Sequence, residues 1–119
     1  MKHRPYKIFI KDIAKAIDKI GRYIGSLSYG DFIENEMLVD AVLRNLEVIG
    51  EAATKVPKEV QQKYPNVPWR RMIGLRNIVI HEYFGVDLSI IWEIVTKNLP
   101  ETRPAIAQIL EKYLEERDG

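Results

Sequence analysis

Apolar residues return at steps of three and four along this chain, and no other feature constrains its fold as strongly. Tyr6, Ile10, Ile13, Ile17, Ile20 and Ile24 lie on one helical stripe, while Lys11, Lys15, Asp18, Lys19 and Arg22 occupy the opposite face. No stretch alternates with period two over the length of a strand, and no internal repeat is present. The spacing predicts a first helix ending near Ile24, broken by Gly25 to Gly30, with Asp31 as the cap of the next helix. A second long helix runs from Phe32 or Asn35 to Lys55. On it Leu38, Val42, Asn45, Ile49 and Ala52 form one row and Val39, Leu43, Leu46, Gly50 and Ala53 the next. Its polar ridge is Asp40, Arg44, Glu47 and Glu51, where Arg44 can meet a carboxylate on either side.

A short helix over Pro57 to Lys63 is succeeded by the rigid connection Tyr64-Pro65-Asn66-Val67-Pro68. A third long helix runs from Pro68 to Phe84 and stops at Gly85. The fourth begins near Asp87, turns Leu88, Ile91, Trp92, Val95 and Leu99 inward, and is kinked or divided by Pro100 and Pro104. The expected fold is all-α: an antiparallel bundle of four long helices plus a short one. At 119 residues, with 46% hydrophobic side chains, the chain supports one core and one domain over 1–119.

Charge and composition exclude several functions. Eighteen basic and 17 acidic side chains leave +1, so bulk charge does not drive binding to nucleic acid, although a local patch can. The absence of Cys removes disulfides, thiol nucleophiles and cysteine metal sites. His3 and His81 share no metal-ligand spacing, which Glu82 and Asp87 do not supply, and there is no Gly-rich phosphate loop or nucleophile elbow. No cofactor or metal is therefore expected. No apolar run reaches the roughly 20 residues of a membrane span, and the basic start, Lys2, His3, Arg4 and Lys7, precedes no signal-type apolar core. A cytoplasmic protein is expected.

The third helix asks for a chemical explanation. Arg70, Gly74, Asn77 and His81 fall within about 60° of one another, and apolar residues fill nearly every other direction, so the helix should be central. The polar stripe is either bonded internally or turned towards something outside the monomer. His81 can be a satisfied core or interface histidine. Arg76, set among Met72, Ile73, Leu75 and Ile80, must find an anion or acceptors. Metal-free cleavage of RNA needs an acid or base near neutrality and a fixed positive charge at the phosphate, the properties of His and Arg. The ideal angle between Arg76 and His81 is about 140°, so they converge only through the long arginine, a distorted helix or a second copy of the chain. Gly74 would let another helix approach closely. Arg70 and Arg71 either hold RNA phosphates or serve the fold, with Arg70 paired to Glu47 or Glu51.

Arg76-Asn77-Ile78-Val79-Ile80-His81-Glu82-Tyr83 resembles the Arg-x4-His-x-Tyr motif of the HepT-like toxins in the HEPN superfamily of helical ribonucleases. The resemblance extends to Asp40 through Ala52, to Tyr64-Pro65, Pro68-Trp69-Arg70 and Tyr83-Phe84-Gly85, and covers roughly Ile8 to Leu110. It implies a HEPN-like homodimer in which the motif helices meet and Arg76 and His81 form the ribonucleolytic pair, with Asn77 beside them. It also implies an RNA substrate and an MNT-type nucleotidyltransferase antitoxin that transfers AMP to Tyr83. Tyr83 on its own also reads as an aromatic core residue with a solvated hydroxyl. The rival function is a non-catalytic helical module that binds a nucleotidyltransferase partner or a nucleotide.

Overall fold

A computed structural model describes residues 5–80 and 87–118, with side chains described for all of these except 78–80 and 115–118. The expectations placed on 1–4 and on His81 through Val86, including the stop at Gly85, lie outside the described residues. Within them the fold is all-α, with no strand. The elements are α1 (Lys7–Ile24), α2 (Tyr29–Glu34), α3 (Glu36–Thr54), α4 (Lys58–Lys63), α5 (Trp69–Ile80), α6 (Leu88–Glu93), a π-helical turn (Ile94–Asn98) and α7 (Leu99–Asp118).

Each boundary has a local cause. The first helix ends where Gly25 takes a positive φ of 47° and donates its N–H to the Gly21 carbonyl, a conformation that costs a residue with a Cβ dearly. Between α1 and α3 the chain forms a helix that periodicity did not predict, α2. Ser28 is its N-cap: Ser28 Oγ accepts from the Asp31 N–H at 3.1 Å, and Asp31 Oδ2 accepts from the Ser28 N–H at 3.2 Å. Asp31 therefore acts from the third helical position rather than as the cap itself. Asn35 then starts α3, its side chain accepting from the Leu38 N–H at 3.0 Å.

The last helical run departs from expectation more instructively. Its irregularity lies at Ile94–Asn98, before both prolines, where the Leu99 N–H bonds to the Ile94 carbonyl five residues back. A widened turn at this point makes room for the Pro100 ring, which would otherwise press on a carbonyl of the preceding turn. Pro104 lies inside α7 without ending it.

Packing places α3 between α1 and α5, with α7 against the other side of α1 and α2 touching both α3 and α6. The fully buried core is Ile10, Ile13, Ile20, Phe32, Val42, Leu46, Ile49, Ile91, Ile106 and Ile109. This corrects the expectation that the third long helix is central. Its only extensive packing among the described residues is against α3, so α5 is an outer helix. The molecule measures 49 × 27 × 21 Å with a radius of gyration of 15.0 Å, against about 13.5 Å for a compact domain of this length. Twenty-one ångströms is two helix diameters of about 10–12 Å, so the fold is two layers deep and α5 lies at its edge.

One ion pair ties α1 to α7 across 85 residues of sequence. Arg103 grips Asp18 with both ends of its fork, Nε to Oδ1 at 2.9 Å and Nη2 to Oδ2 at 3.0 Å. The hydrogen bond from Arg103 holds the Asp18 carboxyl below its ordinary 3.8. A lowered carboxylate pKa contributes stability above the unfolded value and loses it as pH falls through the folded value. Both groups are partly solvated, which screens the pair to about 0.5–1 kcal/mol. Asp18→Asn should therefore lower Tm by a few degrees at pH 7, and the difference from wild type should close below about pH 4, as thermal melts across pH will show.

Candidate active site

The best defined part of the site lies where α5 crosses α3. On α5, Met72 and Leu75 are buried and Ile73 is half-buried, so one side of the helix is committed to packing. Arg76 stands next on that side, and what faces it is Gly50. A Cβ at Gly50 would stand 2.7 Å from Arg76 Cγ, 3.0 Å from the Arg76 backbone nitrogen and 3.1 Å from the Met72 carbonyl oxygen. The two backbones approach this closely only because residue 50 has no side chain. The stem of Arg76 lies across that gap, and its Nε reaches Glu51 Oε1 at 3.1 Å. Roughly half of each side chain is open to solvent, 42% for Arg76 and 50% for Glu51. The guanidinium is thus tethered through its inner nitrogen at the molecular surface, and among the described residues Glu51 is its only acidic partner.

The other candidates lie on the open side of the same helix or beyond its described end. Asn77 is exposed and, one residue on, points about 100° away from Arg76. Arg70 and Arg71 are exposed and form no ion pair among the described residues. Of the two readings left open for Arg70, the pairing with Glu47 or Glu51 is not made: Glu47 meets Arg44 at 3.2 Å and Glu51 meets Arg76 at 3.1 Å. Arg71 lies on the rim of a groove of about 540 Å³ between α5 and the start of α7, lined also by Met72, Gly74, Leu75, Leu99 and Glu101. Gly74 is half-buried, yet a Cβ added there would meet nothing within 4 Å. The stripe Arg70, Gly74, Asn77 thus runs along the open side of α5. His81 and Tyr83 lie outside the described residues.

Sequence reasoning placed Gly50 in an apolar row and Glu51 on a solvated ridge, and missed that together they seat Arg76. A signal was available. Glycine costs about 1 kcal/mol relative to alanine inside a helix, so its presence between Ile49 and Ala52 marks a place where another backbone comes close.

The helical fold, with an arginine fixed on the edge of α5, describes a class of all-α proteins of HEPN type. The profile of the Ribonuclease HepT-like family matches residues 13–109, and the chain belongs to that family. Three relatives illustrate the range. "Putative RNase MJ1380" of Methanocaldococcus jannaschii is 40% identical over 106 residues, 89% of this chain and 97% of that protein. "Putative RNase MJ0125" of the same organism is 40% identical over 117 residues, 98% and 100% of the two chains. "Probable ribonuclease HepT" of Thermococcus cleftensis is 36% identical over 100 residues, 84% and 91%. No solved structure matches the chain. No helix among the described residues is long and apolar enough to cross a membrane.

Gly50 and Gly74 should respond oppositely to the same change. Gly50→Ala forces α3 and α5 apart against backbone atoms and should destabilise the fold by about 1–3 kcal/mol despite the gain in helix propensity. Gly74→Ala, with open space for its methyl group, should leave stability unchanged or raise it by up to about 1 kcal/mol. Urea unfolding of both variants checks the contrast.

Proposed function

We propose that this chain, as a single HEPN-like domain, is a metal-independent endoribonuclease and the toxin of a HEPN/MNT pair in the cytoplasm. The observation that carries the reading is the state of Arg76: its Nε is paired with Glu51 and its side chain is 42% exposed at the edge of α5, with His81 five residues on in the sequence. An exposed guanidinium at this place can offer its fork to the two oxygens of a phosphodiester. Membership of a ribonuclease family supports the same assignment.

In this reading His81 removes the proton of the 2′-hydroxyl, the 2′-oxygen attacks the adjacent phosphorus, and Arg76 stabilises the charge gathering on the phosphoryl oxygens. The bond to the 5′-oxygen breaks as that oxygen takes a proton from water or from the imidazolium that His81 has become, and the products are a 2′,3′-cyclic phosphate and a 5′-hydroxyl. Asn77 holds His81 or a phosphate oxygen, and Arg70 and Arg71 hold flanking phosphates. The open side of α5, where Gly74 presents no side chain, would receive the same helix of a second subunit and complete a composite site at the two-fold. AMP placed on Tyr83 by an MNT-type nucleotidyltransferase would bring a phosphate to the arginine and neutralise the toxin.

Purified protein in excess chelator should cleave mixed cellular RNA, with Arg76→Ala and His81→Ala each about 100-fold slower or worse at unchanged fold. Tyr83→Phe should still cleave but take no AMP from the antitoxin, read by intact mass. Wild-type protein of unmodified mass that leaves RNA whole would return the chain to the class of non-catalytic binding modules.

A further inference from the structure

Arg76 and His81 serve one phosphodiester, and other groups must hold the strand on either side of it. Five grooves among the described residues differ in the charge of their linings. The groove by α1 and α3 mixes Asp12, Glu47 and Glu51 with Arg44 and Lys55, that by α2 holds Asp31, Glu34 and Glu36, that along α1 mixes Asp12 and Asp18 with Lys11, Lys15 and Arg22, and that between α5 and α7 holds both Arg71 and Glu101. The remaining one, about 530 Å³ between α4 and the first turn of α5, has no carboxylate in its lining. Lys58 stands on its α4 wall and Arg70 and Arg71 on its α5 wall, with Gln62 beside Lys58.

We propose that this groove binds the sugar-phosphate backbone of single-stranded RNA next to the scissile bond, an inference that rests on the ribonuclease reading for its purpose. Three cations around a lining that holds no carboxylate, none of them in an ion pair among the described residues, attract a polyanion in a chain whose net charge is only +1. The cations come from two elements, Lys58 from α4 and Arg70 and Arg71 from α5, so a single backbone lying along the groove can meet both. Gln62 is exposed and supplies an amide donor, whereas Gln61 has spent its own on the Val56 carbonyl at 3.0 Å. Trp69 lines the groove but offers no stacking platform: it is buried, and its Nε1 donates to the Tyr64 carbonyl at 3.0 Å. Recognition here is therefore of backbone, and tolerant of sequence. From Arg70 to Arg76 the rise along α5 is about 9 Å with a turn of about 120° around the helix, so a strand of a few nucleotides that leaves the groove must bend part of the way round α5 to reach Arg76.

The test uses a fluorescent single-stranded RNA of mixed sequence with 2′-O-methyl sugars, which lacks the internal nucleophile and cannot be cut. Its anisotropy is titrated with wild type, Lys58→Ala, Arg70→Ala and Lys15→Ala between about 50 and about 200 mM salt. Lys58 and Arg70 are exposed, so these variants should fold, which melting checks. Each should weaken binding several-fold at the lowest salt and reduce the slope of log affinity against log salt by about 0.7. Lys15, equally exposed but in a groove with Asp12 and Asp18, should change neither. Lys58→Ala indistinguishable from Lys15→Ala would overturn the proposal, as would a duplex of the same sequence binding as tightly and losing as much. Because the probe is inert, a protein that binds it through the groove but fails to cleave RNA would remove the nuclease reading and leave the groove standing.

Discussion

The contact between α3 and α5 at Gly50 is the constraint on which the site depends. Two helices usually keep their axes about 8–10 Å apart because side chains stand between them. Here residue 50 contributes none, and the backbone of α5 comes down until the Met72 carbonyl and the Arg76 amide border the space a methyl group would fill. That approach sets the height of Arg76 above α3, and hence which part of its long side chain can meet Glu51. An arginine on a helix held an ångström or two farther out would still find a carboxylate, but with the ends of its fork rather than through Nε. The fork is what a phosphodiester needs, so a packing detail becomes a chemical one.

The same contact explains why α5 can be both well anchored and exposed. One side of the helix is consumed by α3, where Met72 and Leu75 are buried, and no third layer covers the other. Among the described residues the open side carries Arg70, Asn77 and the near-bare backbone at Gly74 rather than large exposed apolar groups, so its exposure to water costs little. Glycine at such a position lowers helix stability without any compensating contact inside the monomer.

Much of the fold was legible because it depends on short-range rules. Periodicity marked α1 within a residue of its observed ends, and Asn35, Pro57 and Asp87 each stand where a helix begins. What escaped was of two kinds. Helix α2 is six residues long, too short for a period to declare itself, and only the Ser28–Asp31 capping box announces it. The position of α5 escaped because a helix apolar in many directions reads as buried, whereas burial belongs to the assembled layers and not to the helix alone. The prolines misled in the same way. Local chemistry says that Pro100 disturbs a helix, but the disturbance was absorbed upstream, in a turn whose own sequence carries no breaker. For the site, the motif named Arg76, and the geometry supplied Gly50 and Glu51, residues unremarkable until the crossing of two helices gives them a task.

Near-zero net charge is easily taken as an argument against acting on RNA, and the distribution of charge over the surface removes its force. Eighteen cations and 17 anions are not mixed evenly. Along α1 and α3 they interleave: Arg44 meets Glu47, Asp18 meets Arg103, and the grooves there are lined by both signs or by acids. Around the junction of α4 and α5 the cations Lys58, Arg70 and Arg71 line a groove without a carboxylate, because the acids that could have met Arg70 are already engaged on α3. Fields from opposite charges cancel over a Debye length of about 8–10 Å, so a polyanion approaching that end meets the local sum rather than the total. An enzyme arranged in this way would be drawn to a phosphate chain at one place and repelled from it elsewhere. Such placement favours delivery of a single strand to Arg76 over the indiscriminate coating of nucleic acid that a highly basic protein would show.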